Sequence, residues 1–245
     1  MMKSNAVLEN IRVVLSHPSH PGNIGAAARA MKTMGLKRLY LVNPKRFPDA
    51  EASARSSGAL DVLEGATVCA SLGEALTGTV LAAALTSRRR DLSLPPLEPR
   101  VAAPQLLAEA AQGEVALVFG AETNGLTNEE LDHCQMRVMI PANPEYASLN
   151  LAAAVQVLAY ELRTAALAGV VQPEEQANWA GLEEIEGFFG HIERVMVASG
   201  FLDPASPKRL MHRLRRLFAR TRLEREEVNI LRGILTSVDP RRKNS

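Results

Sequence analysis

A chain of 245 residues with 47% hydrophobic residues holds enough apolar material for a sizeable core, and a charged fraction of 22% is ordinary for a folded protein. Twenty-eight Lys and Arg against 27 Asp and Glu leave a formal charge of +1, so bulk charge singles out no partner. The N-terminus lacks a long apolar stretch after its first lysine, and no apolar run approaches the roughly 20 residues that span a bilayer, so neither a signal peptide nor a membrane span is expected. Cys69 and Cys134 have no metal-ligand spacing and suit packing roles in a reducing compartment, which predicts a cytoplasmic protein.

In chain order, "IRVVLS" (11–16) reads as a strand and "NIGAAARAMKTMG" (23–35) as a helix, with Asn23 as its N-cap and Gly35 as its stop. "RLYLVN" (38–43) is the next strand. A weaker strand in "ATVCA", a short helix in "SLGEALTG" and a strand in "TVLAAAL" (79–85) follow. The segment 87–102, "SRRRDLSLPPLEPRVA", reads as one long irregular piece, of a length more often functional than idle. "VALVFG" (115–120) and "MRVMIP" (136–141) are strands, and 150–167 is helical. Strands alternating with helices predict an α/β fold, a parallel sheet covered on both faces.

"VVQPEEQANWA", around 170–180, has the composition of a linker, and no strand pattern appears beyond it. Leu182, Ile185, Phe189, Ile192 and Met196 recur at helical spacing. Ser206-Pro207 predicts the start of a second helix, with Leu210, Leu214 and Leu217 on one face and Arg209, Arg213, Arg216 and Arg220 on another. Thr221 and Glu224 offer a capping box for a third. Between Lys208 and Arg225 stand eight Lys or Arg residues and one acid, Glu224. Helices built only for solubility tend to mix signs, so this bias points to a polyanion.

Three polar turns follow strands: "SHPGNIGAAAR" (19–29), "FGAETNGL" (119–126) and "PEYASLN" (144–150). In open parallel sheets ligands gather beyond the carboxyl ends of the strands, where such turns converge. Singly each is weak. Neither the dinucleotide fingerprint nor a P-loop is present, and there is no H-E-x-x-H or G-x-S-x-G signature. Arg29 reads either as a surface arginine or as a donor fork held near an anionic group. Asn23, Ser148 and Asn150 read as helix caps or as site residues, and Glu122 as a backbone acceptor or as the brace of a ligand turn. The triple arginine Arg88, Arg89 and Arg90 is a solvated run or a phosphate contact. An aromatic content of 4% argues against extensive base stacking as the mode of RNA binding.

Taken in order, the three turns resemble the three motifs of the SPOUT class of RNA methyltransferases: "GNIGAAARAMKTMG", "VFGAETNGL" and "IPANPEYASLNLAAAVQVLAYE". The third motif, with "RLRRLFARTRLEREEVNILRGIL", is similar to bacterial tRNA methyltransferases acting on the ribose 2′-hydroxyl of cytidine or uridine at position 32 of the anticodon loop. The resemblance implies a SPOUT-type parallel sheet with a C-terminal trefoil knot over 1–168, a linker at 169–180 and a small all-α, tRNA-binding domain at 181–245. It implies S-adenosylmethionine as cofactor, S-adenosylhomocysteine as product, no metal, and a homodimer in which Arg29 lies near the partner's cofactor. Carried over, the cofactor turns are Thr86-Ser87, Gly120-Ala121-Glu122, Ile140 and Ser148-Leu149-Asn150. Arg29 is then the catalytic candidate, with Asn23 positioning its loop. Arg88, Arg89 and Arg90, with the stripe Arg209, Arg213, Arg216 and Arg220, would meet RNA. Ala121 departs from relatives that often carry a basic residue after the motif glycine. The competing readings are a catalytically silent RNA-binding protein of the same fold, a methyltransferase of the class acting on another RNA, and an NAD-type Rossmann enzyme. The missing glycine fingerprint disfavours the last.

Overall fold

The computed structural model describes residues 6–87, 95–169 and 178–241. Six strands form one all-parallel sheet: β1 (Ile11–Ser16), β2 (Arg38–Val42), β3 (Thr67–Cys69), β4 (Thr79–Leu85), β5 (Glu114–Phe119) and β6 (Met136–Val138), in the order β3-β2-β1-β5-β4-β6. β1 is buried along its whole length, as a central parallel strand requires. Its register sets Val13 between Leu39 and Leu117, and Leu15 between Leu41 and Phe119, so one face is a continuous apolar layer.

That layer is covered by α1 (Pro21–Thr33), α2 (Ala50–Ser56), α3 (Leu60–Glu64), α5 (Pro99–Ala110) and α7 (Leu151–Ala168). The opposite face packs against α4 (Leu72–Leu76), α6 (Asn128–Asp132) and Leu182. A Cβ on Gly25 would lie 2.0 Å from the Ala52 carbonyl oxygen, so α1 and α2 touch at backbone distance and only glycine fits. Both cysteines are buried and unpaired, and burial pushes the Cys134 thiol up to about 12.

Several sequence expectations are corrected. α1 begins at Pro21, whose missing N–H suits a first turn, with His20 as N-cap; Asn23 therefore sits inside the helix and is not its cap. The sequence reading has no element between 44 and 65, where α2 and α3 form. Nor does it anticipate α5, which starts within the supposed irregular piece at Pro99, or α6, capped by Thr127 and Glu130. These helices are short or alanine-rich, with weak periodicity. α7 is, by length and composition, apolar enough to cross a membrane, with mean hydropathy 1.3 over 18 residues, contrary to expectation. Alanine accounts for this: seven of its 18 residues are Ala, and Leu151, Val155, Leu158, Ala159 and Leu162 are buried as core between α1 and α5.

At the end of β6 the chain is held on two sides. The Thr86 N–H donates to the Val138 carbonyl (3.0 Å), continuing the β4 pairing. From the other side the Leu97 N–H donates to the Arg137 carbonyl (2.8 Å) and the Leu97 carbonyl accepts from Met139 N–H (2.9 Å). β6 thus lies between Thr86 on one side and Leu97 on the other. Residues 88–94, and with them Arg88, Arg89 and Arg90, lie outside the described residues.

The C-terminal part consists of α8 (Leu182–Ala198), α9 (Leu210–Ala219) and α10 (Arg225–Val238). Phe188, Phe189 and Phe218 form its aromatic centre, with ring centroids 4.9–6.1 Å apart. α9 starts after Arg209 rather than at Pro207, and α10 is capped by Glu224 with Glu227, not by Thr221. Residues 178–180, within the expected linker, run antiparallel to 223–225: Ala180 N–H donates to the Leu223 carbonyl and Arg225 N–H to that of Asn178.

Candidate active site

The turns that follow β4, β5 and β6 enclose a cleft of about 390 Å³. Its size suits a nucleoside-sized ligand. Thr86, Ser87, Gly120, Ala121, Glu122, Ile140, Ser148 and Leu149, eight of the nine residues expected at the cofactor, line it. Asn150 does not. Its side chain caps α7, accepting from Ala152 N–H (3.0 Å) and Ala153 N–H (3.3 Å).

The β5 turn is shaped by one glycine. A Cβ at Gly120 would stand 2.2 Å from the carbonyl carbon of Gly125 and the nitrogen of Leu126, because residues 121–125 fold back through a Gly125 N–H to Ala121 carbonyl bond of 2.8 Å. Gly125 itself takes φ +66°. Small side chains let the backbone form the cleft wall here.

Glu122 joins this turn to the first motif. One carboxylate oxygen accepts from Ser19 N–H (2.9 Å) and Ser19 Oγ (2.8 Å), the other from His20 N–H (3.2 Å) and Asn23 Nδ2 (2.9 Å). Burial opposes ionisation, but these donors outweigh it and hold the carboxyl at about 2. Asn23 in turn accepts from Asn150 Nδ2 at 2.8 Å. Segments about a hundred or more positions apart are therefore tied by one chain of bonds, Glu122–Asn23–Asn150. Asn23 acts within one chain as a joint between motifs.

Arg29 stands apart. It is exposed on α1, does not line the cleft, and has no polar partner among the described residues. On the neighbouring helix α7, Ala153, Val157, Tyr160, Thr164 and Leu167 form a stripe at three- and four-residue spacing, all exposed except the half-buried Val157.

On the basic helix the structure divides the arginines. Arg209, Arg213 and Arg220 are exposed and Arg216 is half-buried, whereas Leu217, expected on the packed face, is 45% exposed. The residues turned inward are Met211, His212, Arg215 and Phe218. Arg215 makes a bidentate pair with Glu186 (2.5 and 2.7 Å) and lies 4.4 Å over the Phe189 ring. Partial burial opposes ionisation of Glu186, yet bonds from His133 and Arg215 hold its carboxyl at about 2. His212 bonds Asp132 of α6, and Arg222 pairs with Glu109 of α5 while stacking 4.4 Å over Trp179. Composition alone could not separate these docking arginines from the outward ones; the acids they meet lie 29 to 113 positions away. Among the described residues no group of three or more His, Cys, Asp or Glu side chains could hold a metal ion.

A parallel sheet whose turns build one small-ligand cleft at the strand carboxyl ends defines an α/β protein of the nucleoside-ligand type. Residues 10–160 match the SpoU rRNA Methylase family, and residues 183–245 match the C-terminal domain of the tRNA methyltransferase TrmJ. The chain belongs to the SpoU methylase family. It is 51% identical over 242 residues to the tRNA (cytidine/uridine-2′-O-)-methyltransferase TrmJ of Yersinia pestis (strain Pestoides F), covering 97% of this chain and 94% of that protein. A relative from Pseudomonas aeruginosa (strain UCBPP-PA14), a tRNA (cytidine/uridine/adenosine-2′-O-)-methyltransferase TrmJ, is 50% identical over 241 residues, 94% of each chain. The crystal structure of TrmJ from Z. mobilis ZM4 superposes with a TM-score of 0.81 at 32% identity, over 93% of this chain and 98% of that one.

Proposed function

We propose that this protein transfers a methyl group from S-adenosylmethionine to the ribose 2′-hydroxyl of cytidine or uridine at position 32 of the tRNA anticodon loop, in the cytoplasm and as a homodimer. The observation that carries the reading is the bond chain Glu122–Asn23–Asn150, which ties the first motif to the second and third, whose turns line the cleft. The tRNA specificity of full-length relatives supports the substrate, and position 32 rests on the resemblance of the third motif and the tail.

The cleft suits the cofactor. Gly120 lets the β5 turn close to backbone distance, and Thr86, Ser87, Ile140, Ser148 and Leu149 offer mixed polar and apolar walls of the kind a nucleoside needs. Bound there, S-adenosylmethionine would supply an activated methyl group, the ribose oxygen taking it in line as the S–CH₃ bond breaks, S-adenosylhomocysteine leaves and the hydroxyl proton passes to solvent. The chain's own task is alignment and stabilisation of the developing alkoxide. A guanidinium stays protonated, so Arg29 serves as an orienting and charge-stabilising donor rather than as a base. Its exposure away from its own cleft, beside the bare stripe of α7, supports assembly in which Arg29 completes the partner's site. Residues 1–168 then form the catalytic domain, with a trefoil knot in its C-terminal part, and 181–245 the tRNA-gripping one.

Calorimetric titration with S-adenosylmethionine tests the reading. One site per chain is expected, with transfer of labelled methyl to tRNA; binding of tRNA with no cofactor heat would mark a catalytically silent RNA-binding protein instead.

A further inference from the structure

Tyr146 lines the cleft yet is 79% exposed, in a chain with three tyrosines and one tryptophan. The other rings are mostly engaged. Tyr40 carries the Arg12 guanidinium, Trp179 carries that of Arg222, and Phe188, Phe189 and Phe218 pack on one another, while the exposed Tyr160 and Phe201 do not line the cleft. Leaving a large ring in water forgoes roughly 1.5–3 kcal/mol of burial, so its placement beside a ligand site calls for an occupant. Nor is the exposure loose: Asn143 braces the turn, its carbonyl accepting from Tyr146 N–H (2.9 Å) and its side-chain oxygen from Glu145 N–H (3.1 Å). An exposed ring at the rim of a cleft, held by its own backbone, is a stacking platform. Nucleobases splayed from single-stranded RNA loops stack on such rings.

Resting on the methyltransferase reading above, we infer that Tyr146 stacks on a base of the anticodon loop and so presents the target ribose to the cleft. A ring mostly in solvent sits at the mouth, where RNA arrives, rather than in the interior where an enclosed cofactor lies. It belongs to the turn before α7, while the apolar stripe suited to a second copy of the chain lies along α7 itself. Low aromatic content excludes extensive stacking but leaves one platform at the reacting nucleotide.

The test compares Tyr146→Ala and Tyr146→Phe in the full-length protein, using an anticodon stem-loop RNA and variants made abasic at single loop positions. Tyr146→Ala should raise KM for RNA about 5- to 150-fold, with a smaller effect on kcat, and Tyr146→Phe should restore most of the loss. At one loop position the abasic RNA should suffer the same loss, and combining the two changes should add nothing. An unchanged KM would overturn the inference. So would a parallel fall in S-adenosylmethionine affinity, which assigns the ring to the cofactor, or a shift from dimer to monomer, which assigns it to a second copy. If the unaltered protein methylates no RNA, the proposed function fails instead, and direct binding of the stem-loop still reads the Tyr146 contact.

Discussion

Replacing Glu122 by Gln removes the charge on which four donors converge and sets an amide N–H₂ against one pair of them. A carboxyl brought from the ordinary 4.5 to about 2 represents at most about 3 kcal/mol of preference for the charged form. Solvent screening at this half-buried position reduces that to about 1–2 kcal/mol. The folded-state value lies below that of the unfolded chain. The contribution is therefore full above about pH 4.5 and is lost as pH falls toward 2. Urea unfolding followed by helical circular dichroism should show Glu122→Gln less stable by about 1–2 kcal/mol at pH 7, with the gap narrowing below pH 4.5. Methyl transfer should fall by roughly ten- to a hundredfold, because an N–H₂ set against one pair of donors loosens the joint that fixes Asn23 toward Asn150. Equal stability at pH 7, or a gap that does not change with pH, would refute the claim that this carboxylate holds the motifs together.

Arg29→Ala should abolish methyl transfer while S-adenosylmethionine affinity stays within about twofold, since the side chain is remote from its own cleft and one orienting donor is worth several kcal/mol only in the transition state; a lost affinity measured by calorimetry would make the residue structural. Gly120→Ala should weaken cofactor binding by at least about tenfold, because a Cβ 2.2 Å from the returning backbone forces the turn to open; undiminished binding would contradict the assigned cleft wall. Changing Arg209, Arg213 and Arg220 together to Gln should lower the salt slope of tRNA binding by about 2–3, at roughly 0.7–0.9 per phosphate contact, and Arg215→Gln should instead loosen the tail. Ending the chain after Leu167 should leave a folded dimer that binds tRNA poorly and with shallower salt dependence; unchanged affinity would remove the tail from RNA binding.

Long apolar runs such as "IRVVLS" and "VALVFG" were legible as central strands because burial on both faces leaves one pattern. The short helices over 50–64 and 128–132 were not, since one or two buried positions apiece, without a full turn of periodicity, look like loop. Asn23 illustrates a deeper limit. Its type and place suggested a cap, but its partners Glu122 and Asn150 lie 99 and 127 positions away, and only the folded sheet brings them together. The arginine-rich stretch was legible as basic, yet which of its members face outward depended on Glu186, Asp132 and Glu109 from other elements. Tyr146 left no periodic signal at all. Its meaning comes from being bare beside a cleft.

The central claim is that this cleft holds a methyl donor against a ribose hydroxyl of the anticodon loop. Incubating the purified protein with unmodified tRNA and S-adenosylmethionine, then mapping 2′-O-methylation nucleotide by nucleotide, tests it directly. The account predicts a single methylated ribose at position 32, absent when Arg29 is replaced by Ala. Methylation on a base, at another position, or not at all with cofactor demonstrably bound would contradict it.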